Sequence, residues 1–196
     1  MTKAELRKLY RSKRAKLSDD EYREACDSLC SNFFREVDLN DIRVIHTFLP
    51  IVKNREPDTM LILGQLLLRY PDIRISVPRV NADDSMTGYY YEGPQQIVNS
   101  GLGIPEPAGG IPTEPAEIDL ILMPLLAFDQ QGHRVGYGKG FYDRFLISCR
   151  PDCIRAGLSL FPPEEKIDDV AEFDQPMNLA ITPERVYRFE AQSAGG

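Results

Sequence analysis

The sequence predicts an α/β protein that is built in layers around a largely parallel sheet. Helical patterns alternate along the chain with short apolar runs of the length of buried strands, which is the element order of this class. The chain has 196 residues, of which 42% are apolar and 27% are charged, so it is long enough to bury a substantial core. We therefore expect a single domain over residues 1–190, followed by a disordered tail over residues 191–196.

Two capping signals open the chain. Thr2 with Glu5, and Ser18 with Glu21, match the S/T-x-x-E capping box, in which a hydroxyl and a carboxylate satisfy backbone amides at the start of a helix. Apolar residues at helical spacing follow the second signal. The two predicted helices cover Lys3–Lys16 and Asp19–Arg35.

Strands and two further helices follow. Asp58 is placed to cap a helix that runs to Tyr70, and a helical pattern covers Phe141–Cys149. The most apolar strand, Ile118–Met123, is predicted to be central. Gly101–Pro115 holds four glycines and four prolines and is predicted to be a long irregular loop. The predicted strands are Arg43–Leu49, Ile73–Val77, Gly88–Glu92 (near the surface), Ile118–Met123, Ile154–Leu160, Ala180–Thr182 and Val186–Phe189 (at an edge).

The strand order also predicts where a ligand would bind. In open parallel sheets, ligands collect outside the carboxyl ends of the strands. The loops that follow Leu49, Met123 and Leu160 should therefore share one face of the molecule.

A glycine-rich segment carries the clearest chemical signal. Gly136, Gly138 and Gly140 lead directly into a helical pattern, and Arg134 and Lys139 add positive charge beside them. Glycines let backbone amides approach an anion closely, and a helix start favours negative charge, so we interpret the segment as a phosphate cradle. It does not match a Walker A motif, and its spacing is poor for a dinucleotide fingerprint. The competing interpretation is a flexible turn at the start of a helix.

Charge is distributed unevenly along the chain. Residues 1–16 hold seven basic residues and one acidic residue, whereas the whole chain has a net charge of −7. Lys3 and Arg7 lie one helical turn apart, and Arg11 and Arg14 extend the basic stripe. The stripe is either a solvated face or a site for a small polyanion. The acidic remainder argues against broad nucleic-acid binding, and no apolar run is long enough to cross a membrane, so we expect a cytoplasmic protein.

Other polar residues allow more than one interpretation. Glu56 is interpreted, on its position alone, as an exposed acid. Asp143 and Asp174 could hold a hard cation, although an acid in the first turn of a helix, as at Asp143, also suits the helix dipole. His46 is expected to be a hydrogen-bonded core residue, and His133 has no serine or cysteine partner that would suggest a triad.

Taken together, these segments resemble the 5-formyltetrahydrofolate cyclo-ligase (methenyltetrahydrofolate synthetase) family. The resemblance covers nearly the whole chain, and its most specific part is the run GHRVGYGKGFYDR at residues 132–144. Weaker matches are Lys3–Arg7, Phe48–Pro50 with Glu56–Thr59, Gly103–Pro107 and the strand ILMPLLAFD.

The resemblance implies a three-layer α/β/α sandwich, Rossmann-like, and a reaction that uses ATP and Mg²⁺ to convert 5-formyltetrahydrofolate to 5,10-methenyltetrahydrofolate, with release of ADP and phosphate. It also implies a role for each matching residue. Those that would bind ATP are Lys3, Arg7, Arg134, Gly136, Gly138, Lys139, Gly140, Phe141 and Tyr142. Those that would bind the folate are Leu49, Glu56 and Tyr137, and those that would ligate Mg²⁺ are Asp143 and Asp174.

The chain departs from the family pattern at three places. The loop between Pro50 and Glu56 is longer than usual, Phe141 replaces a tyrosine that the family often has, and Phe173 precedes Asp174 where the family has histidine. The resemblance implies a monomer that binds ATP and a reduced folate, with or without a polyglutamate tail, and neither nucleic acid nor membrane. The alternatives are a non-catalytic nucleotide-binding or regulatory module on the same fold, and a sugar-phosphate isomerase or acyl-CoA transferase of related architecture.

Overall fold

A computed structural model describes residues 1–100 and 103–190 of the chain. Both predicted capping boxes form: the Thr2 and Ser18 side chains accept hydrogen bonds from the backbone amides of Glu5 and Glu21, whose carboxylates bond back to the cap amides. The Asp58 side chain caps the third helix by accepting from the Met60 amide at 3.0 Å. The four α-helices are α1 Lys3–Lys16, α2 Asp19–Glu36, α3 Thr59–Arg69 and α4 Phe141–Ile147.

Twelve strands are present in the described part of the chain, and many are short. They are β1 Val44–Thr47, β2 Arg74–Val80, β3 Met86–Tyr90, β4 Ile97–Asn99, β5 Pro105–Pro107, β6 Pro112–Thr113, β7 Leu120–Pro124, β8 Ala127–Phe128, β9 Arg134–Val135, β10 Ile154–Leu158, β11 Leu179–Ile181 and β12 Val186–Arg188. Three 3₁₀ turns lie at Val52–Asn54, Pro94–Gln96 and Pro115–Glu117.

Eight of these strands form one sheet in the order β12-β11-β10-β7-β1-β2-β3-β6. The five strands from β11 to β2 are parallel, whereas β12 and β3 run antiparallel to their neighbours. The prediction that Ile118–Met123 is central is confirmed, because β7 pairs with a parallel strand on each side. The prediction of an edge strand near Val186–Phe189 is confirmed by β12.

Helices cover both faces of the sheet, which makes the predicted three layers. Successive residues of a strand point to opposite faces, so Leu120 and Leu122 pack on one side and Ile121 and Met123 on the other. Helices α2 and α3 cover the first side, and α4 covers the second. Helix α1 packs instead against the β8–β9 hairpin. Among the described residues, no helix combines the length and the apolar character that a bilayer crossing requires.

The structure corrects the prediction for Gly101–Pro115. Residues 103–115 are not wholly irregular, because β5 pairs with β4 in a separate two-stranded sheet and β6 adds an edge to the main sheet. Pro105 and Pro107 have no amide hydrogen to donate. They are tolerated in β5 because this strand pairs with a neighbour on one side only. Residues 101–102 of this prediction, and the tail predicted at 191–196, lie outside the described residues.

Most predicted elements differ from the observed ones by one to three residues at one end or at both. Helix α4 stops at Ile147 rather than Cys149, because the Ser148 amide bonds to the Phe145 carbonyl and tightens the last turn. Strand β3 covers Met86–Tyr90 rather than Gly88–Glu92; Met86, Thr87 and Tyr89 are half-buried, whereas Gly88 and Tyr90 are buried.

Candidate active site

A cleft of about 1160 Å³ opens at the carboxyl ends of the central parallel strands. Leu49, Val80 and Pro124, which lie at or just beyond the ends of β1, β2 and β7, form part of its wall. This volume exceeds that of a pocket for one small ligand, so the cleft has room for two substrates. All the residues predicted for the site line it: Lys3, Arg7, Leu49, Glu56, Arg134, Gly136, Tyr137, Gly138, Lys139, Gly140, Phe141, Tyr142, Asp143 and Asp174. Their individual roles stay predictions.

Helix α1 forms a basic wall of the cleft beside the glycine loop, which we define as residues 136–140. Lys3, Arg7 and Arg11 all line the cleft, and Nε of Arg7 donates a hydrogen bond of 3.0 Å to the Gly136 carbonyl. Lys139 lines the same cleft from the loop. Two cationic segments that are more than 120 positions apart in sequence therefore converge on one space.

Two of the three glycines in the loop are required by backbone geometry. Gly138 has a φ of +94° and Gly140 has a φ of +68°, values that residues with a Cβ adopt at a cost. A Cβ on Gly138 would also lie 3.3 Å from the Arg7 guanidinium. Gly136 has no positive φ, and a Cβ there would meet nothing within 4 Å. The loop's shape thus depends on the second and third glycines.

Two carboxylates lie opposite the basic groups, each held by a cation. Arg134, with 6% of its side chain exposed, bonds to Asp143 at 2.6 Å, and Lys3 pairs with Asp174. Partial burial acts to raise the pKa of Asp174, but hydrogen bonds from Lys3 and from the Ala171 amide outweigh it and leave the pKa below the usual aspartate range. Asp174 is therefore a carboxylate at neutral pH.

These carboxylates fit a Mg²⁺ ion that is shared with phosphate oxygens. The described part of the chain contains no cluster of three or more histidine, cysteine, aspartate or glutamate side chains that could hold a metal. Mg²⁺ commonly binds through one or two carboxylates together with substrate phosphates and water, and does not need a cage built by the protein. Asp143 and Asp174 line the same cleft as the basic residues, so the donor set suits such a site.

The interpretation of Glu56 as an exposed acid is wrong. Only 3% of the residue is exposed, and its carboxylate accepts a hydrogen bond of 2.7 Å from the Ile51 amide. Burial raises the pKa of Glu56, while the Tyr137 hydroxyl, the Ile51 amide and the charge of Arg14 act to lower it. A buried carboxylate at the wall of the cleft is suited to accept N–H donors of a heterocycle.

A strained turn directs Glu56 inward. The preceding residue, Arg55, has a φ of +46°, and its amide bonds to the Val52 carbonyl at 2.9 Å. Its guanidinium pairs with Asp19 of α2 at 2.8 Å. A left-handed arginine has no signature in the sequence, so the pattern of residues could not reveal that this loop folds back into the cleft.

Arg14 is buried, which differs from the prediction made for it. It does not extend the exposed basic stripe: it is 2% exposed and donates a hydrogen bond of 2.9 Å to the Tyr137 hydroxyl, and a second bond to the Leu125 carbonyl. A signal was present, because Leu6, Tyr10 and Arg14 recur every four residues and form the buried face of α1.

The two histidines lie outside the cleft lining in the described residues. His46 is a core residue as predicted, and its Nδ1 lies 2.9 Å from the Ser76 hydroxyl. Only one of its two ring nitrogens is paired, since Nε2 has no partner in the described residues. Complete burial lowers the pKa of His46 to about 3, so the ring is neutral. His133 bonds to Asp129 at 3.1 Å.

The fold and the cleft together define an α/β protein whose candidate site lies at the carboxyl edge of a parallel sheet and is lined by cations suited to a polyphosphate. The sequence matches the model of the 5-formyltetrahydrofolate cyclo-ligase family over residues 1–183. The chain belongs to this family.

Relatives and solved structures support the same assignment. A 5-formyltetrahydrofolate cyclo-ligase of Mycolicibacterium smegmatis is 31% identical over 150 residues, which is 73% of this chain and 75% of that protein. The Escherichia coli protein of the same name is 28% identical over 68% of this chain and 75% of its own length. Alignments with the Mycoplasma genitalium and Mycoplasma pneumoniae relatives span only 27% and 43% of those proteins.

The fold is shared with solved methenyltetrahydrofolate synthetases. The Aquifex aeolicus 5,10-methenyltetrahydrofolate synthetase superposes with a TM-score of 0.81 at 27% identity, over 100% of this chain and 97% of that one. The Mycoplasma pneumoniae structure, at 23% identity and a TM-score of 0.74, covers 94% of this chain and 100% of that one, and shows the fold alone.

Proposed function

We propose that this protein catalyses the ATP- and Mg²⁺-dependent conversion of 5-formyltetrahydrofolate to 5,10-methenyltetrahydrofolate, with release of ADP and phosphate, as a cytoplasmic monomer. Membership of the cyclo-ligase family supports the reaction. The observation that carries the proposal is that the basic wall of α1, the glycine loop and the buried Glu56 face one cleft. That arrangement offers one region for a triphosphate and another for a polar heterocycle.

The residue types suit phosphoryl transfer to an amide-like oxygen. The formyl oxygen leaves poorly, so we propose that it accepts the γ-phosphoryl group of ATP and that N10 of the folate then attacks the formyl carbon and expels phosphate. Such transfer depends on alignment and charge neutralisation, and does not require a nucleophile from the protein. Lys3, Arg7, Arg134 and Lys139 would bind and orient the phosphates.

The remaining residues would position the folate and the cation. Glu56 would accept hydrogen bonds from the pterin N–H groups, with Leu49 and Tyr137 forming the pocket around the ring. Asp143 and Asp174 would hold Mg²⁺, which neutralises phosphate charge when it is bound. The ion pairs with Arg134 and Lys3 hold Asp143 and Asp174 in place.

The direct test is to follow the near-ultraviolet absorbance of the methenyl product with purified protein, ATP, Mg²⁺ and 5-formyltetrahydrofolate. We expect one molecule of ADP to form for each molecule of methenyl product that the absorbance reports. Lys139→Ala should lower kcat/KM for ATP about 100-fold, because a cation on the transferring phosphoryl group stabilises the transition state most. The exposed Lys166, changed to alanine, is the matched control and should retain normal turnover.

Two results would contradict the proposal. If folded protein binds ATP but forms no methenyl product, the non-catalytic nucleotide-binding module becomes the better interpretation. If turnover occurs but Lys139→Ala matches Lys166→Ala, then Lys139 has no part in the mechanism.

A further inference from the structure

Arg14 is a buried guanidinium that is not matched by a direct ion pair. It lies in the last turn of α1, behind the cleft wall, and its NH1 and NH2 groups donate to the Tyr137 hydroxyl and the Leu125 carbonyl. Its Nε is buried without a partner, and none of the ion pairs in residues 1–100 and 103–190 involves it. Burying a charge in this way is unfavourable unless another group compensates for it.

The buried carboxylate on which the charge of Arg14 acts is that of Glu56, and Tyr137, which accepts a hydrogen bond from Arg14, acts on the same carboxylate. The Tyr137 hydroxyl accepts from Arg14 at 2.9 Å and lies within reach of the Glu56 carboxylate. A phenol can accept from a guanidinium and donate to a carboxylate at the same time, so Tyr137 can link the two charges. Tyr137 and Glu56 both line the cleft, whereas Arg14 supports them from inside the fold.

In the part of the chain that the structure describes, the other polar contacts of Glu56 come from uncharged groups. Tyr142 of α4 interacts with it across the cleft wall, the Ile51 amide of its own loop donates to it, and Tyr22 of α2 donates to its backbone carbonyl at 2.6 Å. Burial works against the ionised form of Glu56, and Arg14 is the cation that works for it. The basic side chains that line the cleft are Lys3, Arg7, Arg11, Lys53, Arg55, Arg134 and Lys139, and none of them acts on the pKa of Glu56 as Arg14 does.

We propose that Arg14 is a positioning residue for the folate: it orients the Tyr137 hydroxyl and keeps Glu56 a carboxylate, so that Glu56 can accept the N–H donors of the pterin. The kinetic part of this inference rests on the proposed function, whereas the effect on Glu56 does not. Helix α1 would then serve both substrates, with its exposed edge at the triphosphate and its buried Arg14 at the heterocycle.

Two variants separate charge from geometry. Arg14→Gln keeps a donor for Tyr137 and removes the charge, while Arg14→Lys keeps the charge and loses the two-pronged donor set. In the protein without substrates, the Glu56 carboxyl carbon is titrated by NMR, with its signal assigned by its loss in Glu56→Gln. We expect Arg14→Gln to raise the pKa of Glu56 above its wild-type value and Arg14→Lys to leave it near that value.

The kinetic readouts follow from the same change. Because the Glu56 carboxylate would be lost at a higher pH in Arg14→Gln, the acid limb of kcat/KM for the folate should move to higher pH. At neutral pH, KM for the folate should rise about tenfold and KM for ATP should change little, since the lost interaction is a charge-assisted hydrogen bond at the heterocycle only. In a Glu56→Gln background, Arg14→Gln should add almost nothing, because the two residues act through one another.

Lys8→Met provides the control on the same helix, since Lys8 is exposed and does not line the cleft. It should leave the pKa of Glu56 and both KM values unchanged. An unchanged pKa of Glu56 in Arg14→Gln, or effects of Arg14→Gln and Glu56→Gln that simply add, would overturn the inference. If the wild-type protein shows no turnover at all, the proposed function fails, and the NMR titration still decides whether Arg14 sets the charge of Glu56.

Discussion

Replacing Gly138 by alanine should destabilise the protein and displace Arg7 from the glycine loop. A residue with a Cβ at a φ of +94° is strained by about 1–2 kcal/mol. The new Cβ would lie 3.3 Å from Cζ and Nε of Arg7, so the guanidinium has to move and its 3.0 Å hydrogen bond to the Gly136 carbonyl lengthens. For a chain of this size, about 1–2 kcal/mol lowers Tm by about 2–8 °C.

Gly136→Ala is the matched control for stability. Its backbone has no positive φ and its Cβ meets nothing within 4 Å, so the free energy of unfolding should change by less than about 0.5 kcal/mol. Thermal denaturation measures both variants, and initial rates at varied ATP test whether KM for ATP rises in Gly138→Ala as Arg7 moves. Equal Tm values for Gly138→Ala, Gly136→Ala and the wild type would refute the argument from backbone strain.

Two further substitutions test the loop that carries Glu56. Burial raises the pKa of Glu56 in the folded state, so its contribution to stability is present below the usual glutamate pKa of 4.5 and is lost as the pH rises through the folded value. Glu56→Gln cannot ionise, so its Tm relative to that of the wild type should increase between about pH 4 and pH 8, and folate binding should weaken. A difference in Tm that is independent of pH would contradict this reasoning. Asp58→Ala removes the cap on the Met60 amide and should lower the free energy of unfolding, measured by chemical denaturation, by about 1 kcal/mol. Asp58→Asn can still cap the helix and should keep most of the wild-type stability. Equal losses in the two variants would show that the cap is not the cause.

Local interactions explain which predictions were confirmed. The starts of α1 and α2 were predicted correctly because a capping box needs only residues three positions apart. The place of β7 in the sheet followed from its apolar composition, since a strand buried on both faces must be apolar throughout. The residues that the family resemblance assigned to the site all line the cleft, and the roles that it implies for them stay predictions.

Predictions about burial were the least secure. Glu56 and Arg14 were both interpreted as surface groups, and both are almost fully buried. The burial of Glu56 depends on a left-handed turn at Arg55 that no local pattern encodes. The burial of Arg14 is indicated by its four-residue spacing from Tyr10 and Leu6, but its hydrogen-bond partner, Tyr137, lies 123 positions away in sequence. The pairing of β4 with β5 was not predicted, because the prolines of β5 indicate a loop rather than a strand when only the sequence is considered.

By itself, the sequence determined where the helices start, the class of fold, and the glycine-rich and cationic composition of the glycine loop. Each of these follows from residues that are neighbours along the chain. Only the tertiary structure decided which charges face one another. It pairs Lys3 with Asp174 and Arg134 with Asp143, and it hydrogen-bonds the buried Arg14 to the Tyr137 hydroxyl. Electrostatic interactions depend on the distance between the charges and on their burial. Here the packing of α1 against the β8–β9 hairpin and the glycine loop sets that distance and that burial.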